Sequence, residues 1–218
     1  MSELRRAPLY VFGAGGHGKV VAEAARAGYS YRPVGFLDAD PKRHGGEWAG
    51  LPVIGGIEIV GSLPEDAALA LALGSNRARA ELARSIAERG RRMAIVVHPS
   101  AVIAEGARLQ EGTYVGPLAV VHSDAQVGRG CIVNTGSVVE HDCWLEDWVH
   151  LSPRAVLGGG VWIGAGTHVG LGAIVLPGLT LGPWSTLGAG AVMTRSLPGA
   201  VTAVGVPARP RREMEIDR

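Results

Sequence analysis

Aromatic residues are scarce in this chain of 218 residues, at 5%, and neither sign of charge dominates, with 21 Lys and Arg against 20 Asp and Glu. A balanced charge leaves no basic field to neutralise phosphates, which argues against nucleic acid as the main partner. Cysteine is limited to Cys131 and Cys143. Two thiols are too few for a disulfide framework, so a reducing cytoplasm is the expected setting. The opening stretch MSELRRAPLYVF lacks the apolar core of a secretory signal. No apolar run approaches the ~18 residues that a membrane helix needs, so a soluble protein is expected. Glycine, by contrast, is abundant at 33 residues and shows no collagen triplet, a pattern of many tight turns.

Those turns have a period. From Ile103 an aliphatic residue returns every six positions, through Leu109, Val115, Val121, Val127, Val133, Val139, Leu145, Leu151, Leu157, Ile163, Val169, Val175 and Leu181 to Leu187, fifteen times without an insertion. Four residues after most of them stands a small side chain, such as Ala119, Cys131, Ser137, Cys143 or Ala173. Glycine often follows the aliphatic residue directly, as at Gly116, Gly158 and Gly170, and is expected there to relieve the corner backbone. The period describes a triangular solenoid with one short strand and one corner per hexad, three hexads to a coil and about five coils, stacked at roughly 4.8 Å. Residues eighteen apart then become vertical neighbours. The position before each aliphatic residue points outward. One such column reads Val120, Val138, Val156, Ile174, Val192, and five β-branched residues facing out predict a subunit interface between three prisms packed side by side, with cover by the N-terminal domain or the C-terminal tail as the alternative. A second column reads Tyr114, Ile132, His150, His168, Thr186 and predicts two stacked histidines.

Upstream, residues 8–38 read as strand, glycine loop, helix and strand. Gly13, Gly15 and Gly18 fit G-x-G-x-x-G before a helix from Lys19 to Ala27, and Asp38 ends the second strand. This pattern suggests phosphate at a helix N-terminus with an acid near a ribose or base. Ala68 to Leu73 is a third strand, Arg77 to Arg89 a polar-faced helix and Ala94 to Val97 a last strand. His98-Pro99 marks the boundary between residues 1–98, a Rossmann-like βαβαβ domain, and residues 99–218, the coil with its tail. An NAD-dependent oxidoreductase is the competing reading of the glycine loop. A full dinucleotide fold needs two βαβαβ halves, and the hexads begin before a second half fits, so a single nucleotide such as the uridine diphosphate of an activated sugar is expected.

His141 falls at a corner, in Val139-Glu-His-Asp-Cys143, just after the strand carrying Val138. A corner imidazole near a subunit interface, with Asp142 beside it to orient the ring or raise its basicity, is the best candidate for a general base. His122 and His168 are weaker candidates. Both cysteines occupy the small inward slot, which removes a cysteine nucleophile. The histidine spacings match no strong zinc motif, so no metal is expected. The arginines of Gly205-Val-Pro-Ala-Arg-Pro-Arg-Arg212 suit either CoA phosphates or plain solvent.

Together these stretches resemble the NeuD/PglD-like family of sugar acyltransferases. Gly13-Ala-Gly-Gly-His-Gly-Lys19 is similar to the family's N-terminal loop, Phe36-Leu-Asp38 to its second-strand end, and Leu73-Gly-Ser-Asn76 to its third. Asn134 to Cys143 resembles its active-site stretch and Gly205-Val-Pro-Ala208 its closing motif. The resemblance implies a left-handed coil and homotrimers. It implies acetyl transfer from acetyl-CoA to the amino group of a nucleotide-linked, UDP-type amino sugar, for surface-glycan or glycoprotein biosynthesis. His141 is then the general base and Asp142 the acid that enhances it. Asn134 lies near the acceptor, His150 contacts the acetyl donor, and Leu171 and Ala189 line the CoA groove by their backbone. Gly15, Gly16, His17, Asp38 and Gly74 match the nucleotide-sugar pocket. Ala39 stands at the family's second acidic position, with Asp40 next. O-acetylation of a sialic-acid-like sugar, or a trimer that binds nucleotide sugars without catalysis, are the alternatives.

Overall fold

The computed structural model describes residues 6–211. Its N-terminal domain is a five-stranded sheet made of β1 (Ala7–Phe12), β2 (Tyr31–Leu37), β3 (Glu47–Trp48), β4 (Leu51–Gly55) and β5 (Ala68–Leu71), in the order β3-β4-β2-β1-β5. Only β3 runs antiparallel to its neighbour. Helix α1 (Gly16–Ala27) follows β1 and starts three residues earlier than the sequence suggested, because the glycine loop is itself the helix start. It buries Val21, Ala22, Ala24 and Ala25 and ends at Gly28. Helix α2 (Asn76–Ala87) is capped by the Ser75 hydroxyl, which accepts from Ala78 N–H, and buries Leu82 and Ile86. The short strands β3 and β4 were not legible in the sequence: β3 spans only two residues, and β4 carries Pro52, which argues against a strand in a short run.

The coil begins earlier than expected. The segment Ala94 to Val97 does not complete the N-terminal sheet. Met93 makes one bridge to Leu69, after which Val96–Val97 pairs in parallel with Tyr114–Val115 as the first strand of the solenoid. Sixteen two-residue strands then run from Val102–Ile103 to Val192–Met193, one more than the fifteen aliphatic matches because Met193 continues the register. They form three faces. The first carries Tyr114, Ile132, His150, His168 and Thr186 outward, the second Val120, Val138, Val156, Ile174 and Val192, the third Arg108, Gln126, Trp144, Trp162 and Thr180. Every eighteen-residue column inferred from the period is present. The aliphatic residues from Val115 onward fill the prism, with Cys131 and Cys143 buried among them.

The glycines that follow the aliphatic residues do a different job from the one expected. The left-handed corner lies two positions further on, at Gly160 (φ 66°) or Asp142 (φ 59°), for example. The earlier glycines allow the coils to stack closely: a Cβ on Gly170 would lie 2.6 Å from the Ala189 nitrogen of the next coil, an overlap no side chain tolerates.

The N-terminal domain packs on the first face. Tyr114 and Ile132 are each 1% exposed within a cluster that includes Leu9, Val11 and Phe36, and burying each contributes on the order of 1.5–3 kcal/mol. The polar-faced helix expected at Arg77–Arg89 hides one exception, for Arg79 is 0% exposed. Its Nε donates to Gly130 O at 2.6 Å, one terminal nitrogen to Leu73 O at 2.9 Å, and the other to Trp148 O and Asn76 Oδ1 at 2.9 Å each. One side chain thus ties α2 and the loop before it to two corners of the coil. Asn76 adds a bond from Nδ2 to Gly166 O at 2.9 Å. After Val192–Met193 the chain adds Thr202–Val204 to the first face and returns as Arg209–Pro210. Ala208 N–H reaches Val192 O at 2.7 Å. Arg212 lies outside the described residues.

Candidate active site

The residues singled out in the sequence fall into two groups. Gly15, Gly16, His17, Asp38, Gly74, Asn134 and His150 gather along the seam between the N-terminal domain and the first face. Leu171 and Ala189 continue the corner of Asn134 two and three coils further on, each two positions after an inward aliphatic residue. His141 and Asp142 lie on the next corner, with the whole second face between them and Asn134.

At the seam, the glycine loop is held by Asp38. Its Oδ2 accepts from Ala14 N–H at 2.7 Å and its Oδ1 from Asp40 N–H at 2.9 Å. Asp38 therefore shapes the loop with one lone pair of each oxygen, leaving the others for a ligand. Sequence reading missed Arg43 and Trp48 beside the loop. Lys19 Nζ lies 4.4 Å and Arg43 Cζ 5.4 Å from the Trp48 ring. Trp48 Nε1–H donates to Gly15 O at 3.1 Å, and Arg43 donates to Ala14 O at 2.6 Å. No spacing in the sequence relates Arg43 and Trp48 to the loop; strand β3 and the turn before it bring them there.

Beneath the loop, His17 stands edge-on to Tyr114, with ring centroids 5.2 Å apart. Burial lowers the His17 pKa to about 4, with the charge of Arg79 acting in the same direction. His150 stacks on His168 at 4.9 Å and 21°, the pair anticipated from the column. Burial, then the neighbouring His168, Arg79 and His17, lower the His150 pKa to about 3. These rings are neutral near pH 7, and a neutral ring accepts at one nitrogen and donates at the other. Asn134 Oδ1 accepts from Thr135 N–H at 2.8 Å, so its amide nitrogen faces His150 Nε2 at 3.4 Å. Nε2 is the acceptor and the His150 proton sits on Nδ1.

At the other corner, His141 Nδ1 lies 2.8 Å from Asp142 Oδ2. Asp142 sits at the left-handed corner position, which aspartate tolerates better than most residues, and the short side chain reaches the ring. The bond fixes Nδ1–H toward the carboxylate and leaves Nε2 free. The hydrogen bond to Asp142 raises the His141 pKa, a small desolvation opposes it, and the charges of Asp142 and Glu140 add to the rise. A base works only when unprotonated. Activity is therefore expected to rise with pH through an apparent pKa above the ~6.5 of an ordinary histidine. In Asp142→Asn that limb should move to lower pH, as a pH profile of kcat/KM would read; an unmoved limb would assign it to another group. His122, one coil away at the same corner, lies 3.9 Å from Glu140. The cysteines are out of reach of any substrate: Cys131 is 0% and Cys143 1% exposed, and burial pushes the Cys131 thiol up to about 12.

Fold and site define a hexapeptide-repeat coil joined to a Rossmann-like domain, the architecture of PglD-like acetyltransferases. Residues 8–86 match the PglD N-terminal domain. Over the full fold, the chain is similar to a histidine-to-asparagine mutant of perosamine N-acetyltransferase from Caulobacter crescentus, solved in complex with CoA and GDP-perosamine. Identity is 38%, coverage is 94% of this chain and 97% of that one, and the TM-score is 0.89. It is similar also to the acetyltransferase domain of PglB from Neisseria gonorrhoeae FA1090 in complex with acetyl coenzyme A, at 38% identity over 94% and 100% of the two chains, TM-score 0.88. UDP-N-acetylbacillosamine N-acetyltransferase of Bacillus subtilis (strain 168) is 41% identical over 107 residues, a match spanning 48% of this chain and 49% of that curated relative. The chain belongs to the NeuD/PglD-like family of sugar acyltransferases, and its coil has the left-handed sense of that family.

Proposed function

We propose that the protein is an acetyl-CoA-dependent N-acetyltransferase acting on the amino group of a UDP-type nucleotide-linked amino sugar, in the synthesis of surface glycans or glycoproteins. The observation that carries this reading is the His141–Asp142 pair at 2.8 Å, with Nε2 free on an exposed corner. It is supported by full-length similarity to a structure that holds CoA and a nucleotide-linked amino sugar. His141 Nε2 takes a proton from the acceptor amine as its nitrogen attacks the thioester carbonyl. The C–N bond forms, the C–S bond breaks, and CoA leaves as thiolate, while polar groups near the carbonyl steady the developing oxyanion. The sugar nucleotide occupies the seam, where Gly15, Gly16, His17, Asp38 and Gly74 receive it and Asn134 meets the acceptor. His150 faces the acetyl group, and CoA follows Leu171 and Ala189.

A single chain keeps the base and this seam on different corners. The working unit is therefore a homotrimer, in which His141 of one chain serves the seam of the next. The second face supports this: the N-terminal domain leaves Val120, Val138, Val156, Ile174 and Val192 uncovered, with Ile174 39% exposed. Among the described residues no helix is long and apolar enough to cross a membrane. We place the enzyme in the cytoplasm, where nucleotide sugars and acetyl-CoA are available.

The test is thiol release from acetyl-CoA in the presence of UDP-, GDP- and dTDP-linked amino sugars, alongside the mass in solution. Turnover with one nucleotide class and a mass of three chains are expected. Acetylation of a hydroxyl in place of the amine would move the reading to O-transfer, and CoA or sugar-nucleotide binding with no turnover would make the protein a binding trimer.

A further inference from the structure

The pair Asn134–His150 has a counterpart one coil on. Ser152 Oγ lies 2.7 Å from His168 Nε2, at the same corner-to-face separation of sixteen residues. The two imidazoles lie nearly parallel, 4.9 Å apart, so Ser152 repeats the place of Asn134 and His168 that of His150. The corner position they share is His98 in the first coil and glycine at Gly116, Gly170 and Gly188. Asn134 and Ser152 are thus two successive polar rungs bounded by Gly116 and Gly170, and the second of them leads directly to Leu171 and Ala189. Ser152 is 6% exposed, and a hydroxyl that donates one bond still carries two acceptor lone pairs.

We propose that Ser152 and His168 form a second polar rung of the donor groove, which binds the secondary amide next to the thioester of acetyl-CoA. This rests on the acetyltransferase reading above. The chemistry follows from the order of groups along the corner. Asn134 is the acceptor rung and His150 the acetyl rung, while Leu171 and Ala189 carry the long arm of the thiol. The group between the acetyl carbon and that arm is a two-carbon spacer ending in an amide. In the tautomer that matches His150, with the proton on Nδ1, His168 Nε2 is an acceptor. The Ser152 hydroxyl then donates to His168 and keeps its oxygen lone pairs for an amide N–H. Ser152 is the binding residue. His168 is a positioning residue, because it fixes the direction of the hydroxyl.

Ser152→Ala and Ser152→Gly test this, the second because glycine already occupies that position in three other coils. In the full-length protein, calorimetry with CoA should show Kd raised about five- to tenfold, the effect of one lost hydrogen bond. KM for acetyl-CoA should rise with it, and KM for the amino sugar should stay within about twofold. His168→Ala should give the same shift, and the double variant no more, since the two residues act as one unit. Donors sharpen the test. Wild type should prefer S-acetyl-N-acetylcysteamine, which has the amide, over ethyl thioacetate, which lacks it, and Ser152→Ala should lose that preference. Tight CoA binding by wild type that is unchanged in a Ser152 variant with wild-type melting overturns the subsite alone. A wild-type protein that does not bind CoA overturns the acetyltransferase reading and the subsite with it.

Discussion

His141→Ala is expected to lower kcat by about 10²–10⁴-fold, the span that a positioned general base contributes, while the assembly and the Kd for CoA stay as in wild type. The prediction separates chemistry from architecture because His141 stands on an exposed corner. Its only side-chain hydrogen bond among the described residues is to Asp142, and it packs into no core cluster. Its loss should thus leave the melting temperature within a degree or two. Asp142→Asn should fall between wild type and His141→Ala, because the amide still touches the ring and no longer stabilises the imidazolium that forms during proton transfer. The measurements are single-turnover acetylation and light scattering. Unchanged acetylation in an intact His141→Ala protein would remove His141 from the mechanism.

Arg79→Met should be the most destabilising single substitution outside the coil interior, by on the order of 3–5 kcal/mol. Burial lowers the Arg79 pKa to about 10, so the side chain is still a cation near neutral pH and holds its place by donating. Removing the fork leaves Gly130 O, Leu73 O and Trp148 O without their donor, and each buried orphan acceptor costs about 1–3 kcal/mol. Arg79→Lys keeps the charge, but a single ammonium cannot reach acceptors spread over two corners and α2, so most of the loss should remain. Thermal unfolding should show a drop on the order of 10 °C. Because the same contacts hold the Leu73-Gly74 loop against the coil, the KM for the sugar nucleotide should rise as well. A variant that melts like wild type would mean that the two domains are held together by Tyr114, Ile132 and their neighbours alone.

The contrast between these two residues shows what each level of description carries. His141 was visible in the sequence because the hexad register is strict: two residues per six, the aliphatic one and the small one, face in, and position within the hexad fixes corner or face. The same arithmetic set Cys131 and Cys143 inside and stacked His150 on His168. Arg79 was invisible. Its helix has an ordinary polar pattern, and its acceptors are carbonyls 51 and 69 residues away, which no local spacing encodes. The corner glycines show the same limit. Their abundance could be counted, but whether a glycine is needed for a positive φ or for close approach depends on where the next coil lies.

The sequence by itself determined the coil, its columns, the buried thiols and the glycine loop followed by a helix, because each rests on short-range periodicity or on local backbone chemistry. Only the tertiary structure decided which face the N-terminal domain covers, that the strand Val96–Val97 belongs to the solenoid, and that Asp38 spends half its acceptor capacity on the loop. Those are consequences of how two separately legible pieces dock. Docking is set by complementary surfaces and by buried polar groups finding partners far along the chain, and neither leaves a periodic trace in the order of the residues.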